Sequence, residues 1–89
     1  MLKLKTHKRF EKDVKLALKR GKKTDRLWSI IERLQTNKSL APKHRPHRLV
    51  GDWSPCMECH IEPDWLLIYL VTDDTLELLR TGSHADLFD

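Results

Sequence analysis

The sequence predicts an α+β fold in which two N-terminal helices pack on a small antiparallel sheet, in the order β-α-α-β-β-β. The first 35 residues contain two stretches with apolar side chains at helical spacing. The continuous apolar run "WLLIYLV", residues 65–71, is typical of a central strand buried on both faces. Turn sequences flank this run, and no long linker or internal repeat interrupts the 89 residues. We therefore expect residues 1–89 to form one domain.

The N-terminal elements are a short strand and two helices. Residues 2–5 alternate apolar and polar side chains, the pattern of a half-buried strand. Thr6 is placed to cap a first helix that ends at Gly21, and Thr24 or Asp25 is placed to cap a second helix. The expected apolar stripes are Phe10, Val14, Ala17 and Leu18 in the first helix and Leu27, Ile30, Ile31 and Leu34 in the second.

The C-terminal elements are strands. Residues 39–49 contain two prolines and are expected to form a surface loop. Strands are expected at about residues 47–50, 55–61, 65–71 and 75–80, with turns at Glu62-Pro63 and Thr72-Asp73-Asp74. If Val71 lies opposite Leu76, residues 80–83 lie level with residues 64–67.

Charge is divided unevenly along the chain. Residues 1–48 carry 16 of the 17 Lys and Arg residues and four acids, a net charge of +12. Residues 49–89 have a net charge of −8. A basic surface this concentrated favours polyanions through counterion release, so we expect contact with nucleic acid. The alternative is a pair of solvated helices whose basic side chains only keep the protein soluble.

The sequence predicts neither a membrane span nor export. No apolar run approaches the roughly 18–20 residues that a spanning helix needs. The opening "MLKLKTHKRFEKD" lacks the apolar region of a signal peptide. We expect a cytoplasmic protein with no membrane partner and with reduced thiols.

The stretch "CMECH", residues 56–60, has the C-x-x-C-H pattern of a c-type haem attachment site. Haem attachment normally requires export, for which the sequence has no signal. A Cys₂His₂ zinc site that includes His44 and His47 is a second interpretation. It is disfavoured because Cys56 and Cys59 would point to opposite faces of a strand. We predict no metal and no cofactor, and we expect one half-buried cysteine and one exposed thiol.

The predicted turns bring four polar residues to one rim of the sheet. A turn at residues 62–63 places His60 beside Asp64. The next turn sends the last strand back antiparallel, so Arg80 returns to the same rim and His84 follows it. Each residue also has a structural alternative: a turn cap for Asp64, a surface position for either histidine, or an ion pair of Arg80 with Glu77, Asp64 or Asp86.

This set of side chains suits cleavage of RNA by its own 2′-hydroxyl. That reaction needs one group to accept the 2′-hydroxyl proton and another to protonate the 5′-oxygen that leaves. Histidine suits both tasks because it titrates near neutral pH. Arginine suits the charge that accumulates on the phosphoryl oxygens, since its planar fork binds two of them. Aspartate can act as the base or orient a histidine. No metal is required.

Four segments also carry a resemblance to a known family: "KDVKLALKRGK" (12–22), "PHRLVGDW" (46–53), "HIEPDWLLIY" (60–69) and "RTGSHADLF" (80–88). The sequence resembles the RelE/ParE superfamily of toxins from type II toxin–antitoxin systems, most closely the YafQ branch. The resemblance implies a RelE-like microbial RNase fold. It also implies a ribosome-dependent endoribonuclease, an mRNA interferase that inhibits translation by cutting mRNA in the ribosomal A site.

The resemblance implies catalytic positions at His47, His60, Asp64, Arg80 and His84, and substrate contacts at Phe88 and Trp65. We expect His84 as the general acid, His60 or Asp64 as the general base, and Arg80 beside the scissile phosphate. His47 is expected to hold a phosphate or assist proton transfer. Contacts with ribosomal RNA are expected at Lys15, Lys19, Arg20, Lys22 and Lys23.

The expected partners are the 70S ribosome with its RNA, the mRNA substrate and a cognate antitoxin, which charge complementarity predicts to be acidic. Two alternatives remain at this stage. One is a ParE-like toxin of the same fold that poisons a topoisomerase. The other is a basic nucleic-acid-binding protein without catalysis.

Overall fold

The computed structural model, which describes residues 1–88, has the predicted α+β fold. Its helices and strands are β1 (Lys3–Thr6), α1 (Lys8–Lys19), α2 (Thr24–Gln35), β2 (His47–Arg48), β3 (Met57–Glu62), β4 (Trp65–Val71), β5 (Thr75–Gly82) and α3 (His84–Phe88). Two single 3₁₀ turns, Pro42–His44 and Gly51–Trp53, flank β2. The strands form one sheet in the order β1-β5-β4-β3-β2.

The direction of β1 corrects the prediction of a fully antiparallel sheet. β1 pairs in parallel with β5, with Leu4 opposite Leu76, whereas the other neighbouring strands are antiparallel as expected. No hairpin turn connects β1 to β5, so local sequence does not determine the relative direction of these two strands. The short helix α3 was also absent from the predicted order.

The two long helices bury the faces that their periodicity predicts, with one exception. Phe10, Ala17, Leu27, Ile30 and Ile31 are buried, and Val14 and Leu34 are partly buried against the same core. Leu18 is 57% exposed, so its assignment to the apolar stripe was wrong. Gly21 has a φ of 77°, a left-handed conformation that ends α1 at little steric cost.

The central strand β4 is buried on both faces, as predicted. Trp65, Leu67 and Tyr69 face α1 and α2, whereas Leu66 and Ile68 face a second, smaller cluster that includes Leu87, Trp53 and Leu79. At about 25 cal/mol per Å² of apolar surface, each of these large side chains contributes roughly 1.5–3 kcal/mol to stability. β4 therefore contributes buried side chains to the packing on both faces of the sheet.

A β-bulge in β5 changes which side chains reach that face. Val71 lies opposite Leu76, as expected, but Leu79 is an extra residue between the Tyr69–Leu78 and Ile68–Arg80 pairs. Without it, Arg80 would pair with Leu67 and point toward the helices. The bulge therefore turns Arg80 to the face opposite α1 and α2. It also makes residues 80–83 lie one position away from the expected register.

Both cysteines are buried, so the expected exposed thiol was wrong. Cys59 is 0% exposed in the helix-side core and Cys56 is 6% exposed in the opposite cluster. Burial raises the pKa of the Cys59 thiol to about 12 and also raises the pKa of Cys56. Their positions on opposite faces fit the alternation of a strand. Among residues 1–88, no three or more His, Cys, Asp or Glu side chains are grouped to hold a metal ion.

We expect both thiols to react slowly with iodoacetamide in the folded protein. Only the thiolate is nucleophilic, and burial disfavours it at both positions. At about pH 8, alkylation of the native protein is expected to be about tenfold or more slower than in urea. Mass spectrometry of timed samples measures this ratio for each cysteine. Equal rates in the two conditions would contradict the buried positions.

Candidate functional site

A row of aromatic rings crosses the face opposite α1 and α2. The ring centroids of His47 and His60 are 6.3 Å apart, and those of His60 and His84 are 5.8 Å apart. Phe88 continues the row at 6.4 Å from His84, and Trp53 lies 6.4 Å beyond Phe88. The row thus joins β2, β3 and α3, which come from separate parts of the chain. The three imidazoles, here called the histidine row, are groups of the type that can supply both an acid and a base.

His84 and Asp64 form a directed pair at one end of this row. Asp64 Oδ1 accepts hydrogen bonds from the backbone N–H of His84 at 2.9 Å and from its Nδ1 at 2.6 Å. Because a carboxylate only accepts, Nδ1 carries a proton and Nε2 is left to exchange one with a substrate. These two hydrogen bonds, the backbone one first, lower the pKa of Asp64. The contact favours Asp64 as the residue that orients His84.

Glu58 lies between the other two histidines and was missed from the sequence. It is 4% exposed, and its Oε1 is 3.3 Å from Nε2 of His47 and 3.7 Å from Nε2 of His60. A signal was present, since Glu58 and His60 are two positions apart on a predicted strand and therefore share a face. Pairing of β2 with β3 then sets His47 opposite Glu58. Glu58 therefore places a buried carboxylate beside both imidazole rings.

The loop before β2 binds the other ring nitrogen of His47. Its Nδ1 is 2.7 Å from the carbonyl oxygen of Arg45, whose φ of 46° is left-handed. Since a carbonyl only accepts, Nδ1 donates, and Nε2 is directed at Glu58. His44 is used structurally, because its Nδ1 is 2.7 Å from the carbonyl oxygen of His60.

The backbone of Arg80 directs its side chain to the face opposite α1 and α2, but the guanidinium turns back toward α1. Cross-strand pairing places Arg80 opposite Ile68, which in turn lies opposite Glu58. Its Nε and Nη2 donate to Asp13 of α1 at 2.7 and 3.0 Å. The ion-pair partner of Arg80 is therefore Asp13. The sequence had suggested Glu77, Asp64 or Asp86 for this role. The guanidinium of Arg80 is therefore bound to α1.

Trp65, an expected substrate contact, is a core residue in the structure. It is 1% exposed, and its Nε1 donates to Thr81 Oγ1 at 2.9 Å. Lys22 Nζ lies 5.7 Å from the centroid of its ring, on the helix side. No face of the indole is open for a base. Trp65 begins β4 directly after the Pro63-Asp64 turn that carries Asp64.

The helix α3, which carries His84 and Phe88, is fixed by a reciprocal cap. Ser83 N–H donates to Asp86 Oδ2 at 3.0 Å, and Asp86 N–H donates to Ser83 Oγ at 3.1 Å. Arg20 Nη1 also donates to Asp86 Oδ2, at 2.6 Å. A Cβ at Gly82 would lie 3.0 Å from that of Asp86, so glycine permits this close approach. The cap sets the position of His84 relative to Asp64.

Replacing Asp86 with asparagine is expected to cost stability in a pH-dependent way. The hydrogen bond from Arg20, followed by that from Ser83, lowers the pKa of Asp86 to about 2 from an ordinary value of 3.8. A carboxyl group with a depressed pKa stabilises the fold above its unfolded value, and this contribution is lost as the pH falls through its folded value. With solvent screening, we expect Asp86→Asn to lower the free energy of unfolding by on the order of 1 kcal/mol near neutral pH.

Urea unfolding of both proteins between about pH 7 and the lowest pH at which both fold measures this difference. It should be constant above about pH 4 and shrink as the pH approaches 2. Asp25→Asn is the matched control, because Asp25 is exposed on α2. A difference between Asp86→Asn and wild type that stays constant down to the lowest pH would contradict the role of the Asp86 charge.

The five basic residues expected to contact ribosomal RNA fall into two groups. Lys15, Lys19 and Lys23 are exposed. Arg20 binds Asp86, and Lys22 lies 3.2 Å from Glu62 as well as over Trp65. Two of the five therefore also have structural contacts that position α3 and the turn before β4. Separately, none of the helices in residues 1–88 has both the length and the apolar character that crossing a membrane requires.

Sequence comparison identifies similar proteins over nearly the whole chain. The model of a family described as the bacterial toxin of type II toxin–antitoxin systems, YafQ, matches residues 2–89. The mRNA interferase toxin YafQ of Escherichia coli strain K12 is 44% identical over 80 residues, which are 89% of this chain and 87% of that protein.

Structural comparison gives the same result. The crystal structure of the Escherichia coli DinJ–YafQ complex matches with a TM-score of 0.93 and 39% identity, and the match covers all of both chains. The crystal structure of a copper-bound mutant toxin from Helicobacter pylori matches with a TM-score of 0.94 and 46% identity, covering 99% of this chain and 100% of that one.

Proposed function

Because the chain belongs to the YafQ family of bacterial toxins of type II toxin–antitoxin systems, we propose that it is an mRNA interferase that cuts mRNA on the ribosome. The observation that carries the proposal is the histidine row, in which the directed Asp64–His84 pair lies beside His60. These side chains supply an acid and a base on one open face. Neither a ParE-like topoisomerase poison nor a passive nucleic-acid binder needs such a set.

The reaction assigned to this face is transfer of the phosphodiester to the adjacent 2′-oxygen. A base removes the 2′-hydroxyl proton, the 2′-oxygen bonds to phosphorus, and the bond from phosphorus to the 5′-oxygen breaks. An acid gives its proton to that 5′-oxygen. The products are a 2′,3′-cyclic phosphate and a 5′-hydroxyl, so atoms and charge balance without hydrolysis in the first step.

His84 is the general acid and His60 the general base in this proposal. Asp64 holds His84 through Nδ1, which aims Nε2 outward and stabilises the imidazolium that must donate. His60 is the better base of the two expected from the sequence, because Asp64 is already committed to His84. Glu58 stabilises the imidazolium that forms when His60 accepts a proton.

The remaining site residues bind the substrate. His47, held between Arg45 and Glu58, lies next to His60 and holds the phosphate or assists proton transfer. Phe88 is 43% exposed at the end of the row, where an unstacked base can lie on its ring. Trp53 supports Phe88 in an edge-to-face contact. Arg80 supplies the fork that balances the phosphoryl charge.

The proposed partners follow from the charge of the surface. The exposed lysines of α1 and the turn after it contact ribosomal RNA, and an acidic antitoxin neutralises the toxin in the cytoplasm. A complex of this kind is what the Escherichia coli DinJ–YafQ structure contains. Residues 1–48 have a net charge of +12, which an acidic partner complements.

Reversing the charge of Lys19 is expected to weaken ribosome binding without altering the chemical step. Loss of a phosphate contact weakens binding and lowers its dependence on salt, with the slope against log salt concentration falling by about one per contact. Binding of Lys19→Glu to ribosomes across a salt series measures this slope. Lys38→Glu is the control, because Lys38 is exposed after α2 and lies outside the proposed surface. Equal slopes for the two variants would contradict the assignment of α1.

The proposed function is tested by adding purified protein to a defined mRNA, either free or in the A site of programmed ribosomes. Primer extension maps the cut. We expect one dominant cut within the A-site codon and slow or no cutting of free mRNA. Ribosome binding with intact mRNA would favour a non-catalytic binder. Inhibition of a topoisomerase with intact mRNA would favour the ParE-like alternative.

A further inference from the structure

We propose that Asp13 is a positioning residue for Arg80, and that it acts on the cleavage rate only through the arginine. This inference rests on the proposed function. Asp13 lies on α1, and it was not among the site residues expected from the sequence. Its importance comes from three contacts made at one edge of the sheet.

The contacts fix the arginine in one orientation. Asp13 Oδ2 accepts from Arg80 Nε at 2.7 Å, and Asp13 Oδ1 accepts from Nη2 at 3.0 Å. Oδ2 also accepts the backbone N–H of Thr81 at 3.1 Å. The two side chains are each 12% exposed. A two-point pair held by a third bond leaves the guanidinium plane little freedom to turn.

The backbone contact explains why an acid is present at this edge. β1 pairs with β5 only as far as Leu78, so within residues 1–88 the following part of β5 has no neighbouring strand on that side. Asp13 satisfies the unpaired N–H of Thr81 there, as a strand would. The carboxylate is thus fixed to β5 itself, and the arginine is fixed to the carboxylate.

The contacts with Asp13 leave unused the N–H donors of Arg80 that are best placed to bind a phosphate. A guanidinium has five N–H donors, and Asp13 uses one on Nε and one on Nη2. The remaining donors lie on Nη1 and on the outer side of Nη2, which together form the fork that binds two phosphate oxygens. Asp13 therefore determines where that fork points without occupying it.

A second acid near Arg80, Asp86, is already engaged and does not replace Asp13. Asp86 is near enough to raise the pKa of Arg80, but less than Asp13 does, and its carboxylate is already bound by Arg20 and Ser83. If Asp13 is lost, the arginine keeps its charge and loses its orientation. We therefore expect a slower chemical step with unchanged substrate binding.

The test is a double-mutant cycle on single-turnover cleavage of mRNA in programmed ribosomes at saturating toxin. Arg80→Ala is expected to lower the cleavage rate constant by about 10²-fold, the scale of losing one charge-stabilising donor. Asp13→Asn is expected to lower it by about tenfold, with the half-saturating toxin concentration unchanged within about twofold. In the Arg80→Ala background, Asp13→Asn should lower the rate by less than about twofold.

Asp25→Asn is the matched control for removing an acid from a helix and should cut like wild type. If Asp13→Asn is not folded at the assay temperature, Asp13→Glu takes its place in the cycle, because it keeps the charge and displaces the carboxylate. Multiplicative effects of the two changes, or wild-type cutting by the Asp13 variant, would overturn the inference alone. Absence of cutting by wild type would overturn the proposed function, and the inference with it.

Discussion

Replacing His84 with glutamine is expected to lower the rate of ribosome-dependent mRNA cleavage by about 10²–10⁴-fold, the usual contribution of a general acid. Glutamine fills a similar volume and can still donate to Asp64, so the contact at 2.6 Å between Nδ1 and Oδ1 has a substitute. It has no group that can release a proton at neutral pH. The loss should appear in the rate at saturating toxin, because the proposed ribosome-binding surface lies on α1, away from His84.

His7→Gln is the matched control for this variant. His7 also contacts a carboxylate, with its Nε2 3.0 Å from Glu77 Oε1, but it lies at the start of α1 beside β5. We expect His7→Gln to cut within about twofold of wild type. A small effect of His84→Gln, or equal effects of the two variants, would remove His84 from the role of acid.

Replacing Trp65 with alanine is expected to lower the free energy of unfolding by about 3–5 kcal/mol. Trp65 is 1% exposed and packs between the sheet and the helices, so its removal leaves a cavity and also removes the hydrogen bond that Thr81 Oγ1 accepts. A domain of this size has a total stability of about 5–15 kcal/mol, so the variant is close to unfolding. Urea unfolding followed by circular dichroism measures the loss.

Trp28→Ala is the control, because Trp28 is 42% exposed on α2, where it makes an edge-to-face contact with Phe10. We expect it to cost about 1 kcal/mol or less. Trp65→Phe separates packing from substrate binding, since it keeps most of the buried ring. A folded Trp65→Phe protein that binds ribosomes but has lost most cleavage would restore Trp65 to the substrate site.

The elements that local pattern determines were predictable. The apolar run of β4 and the turns on both sides of it fixed the hairpins, and the periodicity of α1 and α2 fixed most of the core. His60, Asp64, Arg80 and His84 were placed at one rim from turn positions alone. The ring and hydrogen-bond distances bring His60, Asp64 and His84 together, whereas the guanidinium of Arg80 binds Asp13. The contact of Asp64 with His84 could not be distinguished from a turn cap at that stage.

The features that sequence did not predict depend on long-range contacts. The bulge at Leu79 has no composition signal, yet it decides that Arg80 shares a face with Glu58. The partner of Arg80 is 67 positions away on a helix, so no spacing rule finds Asp13. The direction of β1 and the ion pair of Arg20 with Asp86 have the same origin, because both join distant segments.

Cleavage of an mRNA with a single 2′-deoxy substitution tests the central claim most directly. The cut site is first mapped on an all-ribose mRNA in programmed ribosomes, and the nucleotide on its 5′ side is then made 2′-deoxy. If the histidine row activates the 2′-hydroxyl, the modified mRNA stays intact, while the unmodified one gives a 2′,3′-cyclic phosphate and a 5′-hydroxyl. Cutting of both mRNAs at the same rate and position would contradict the claim, because the nucleophile would then come from elsewhere.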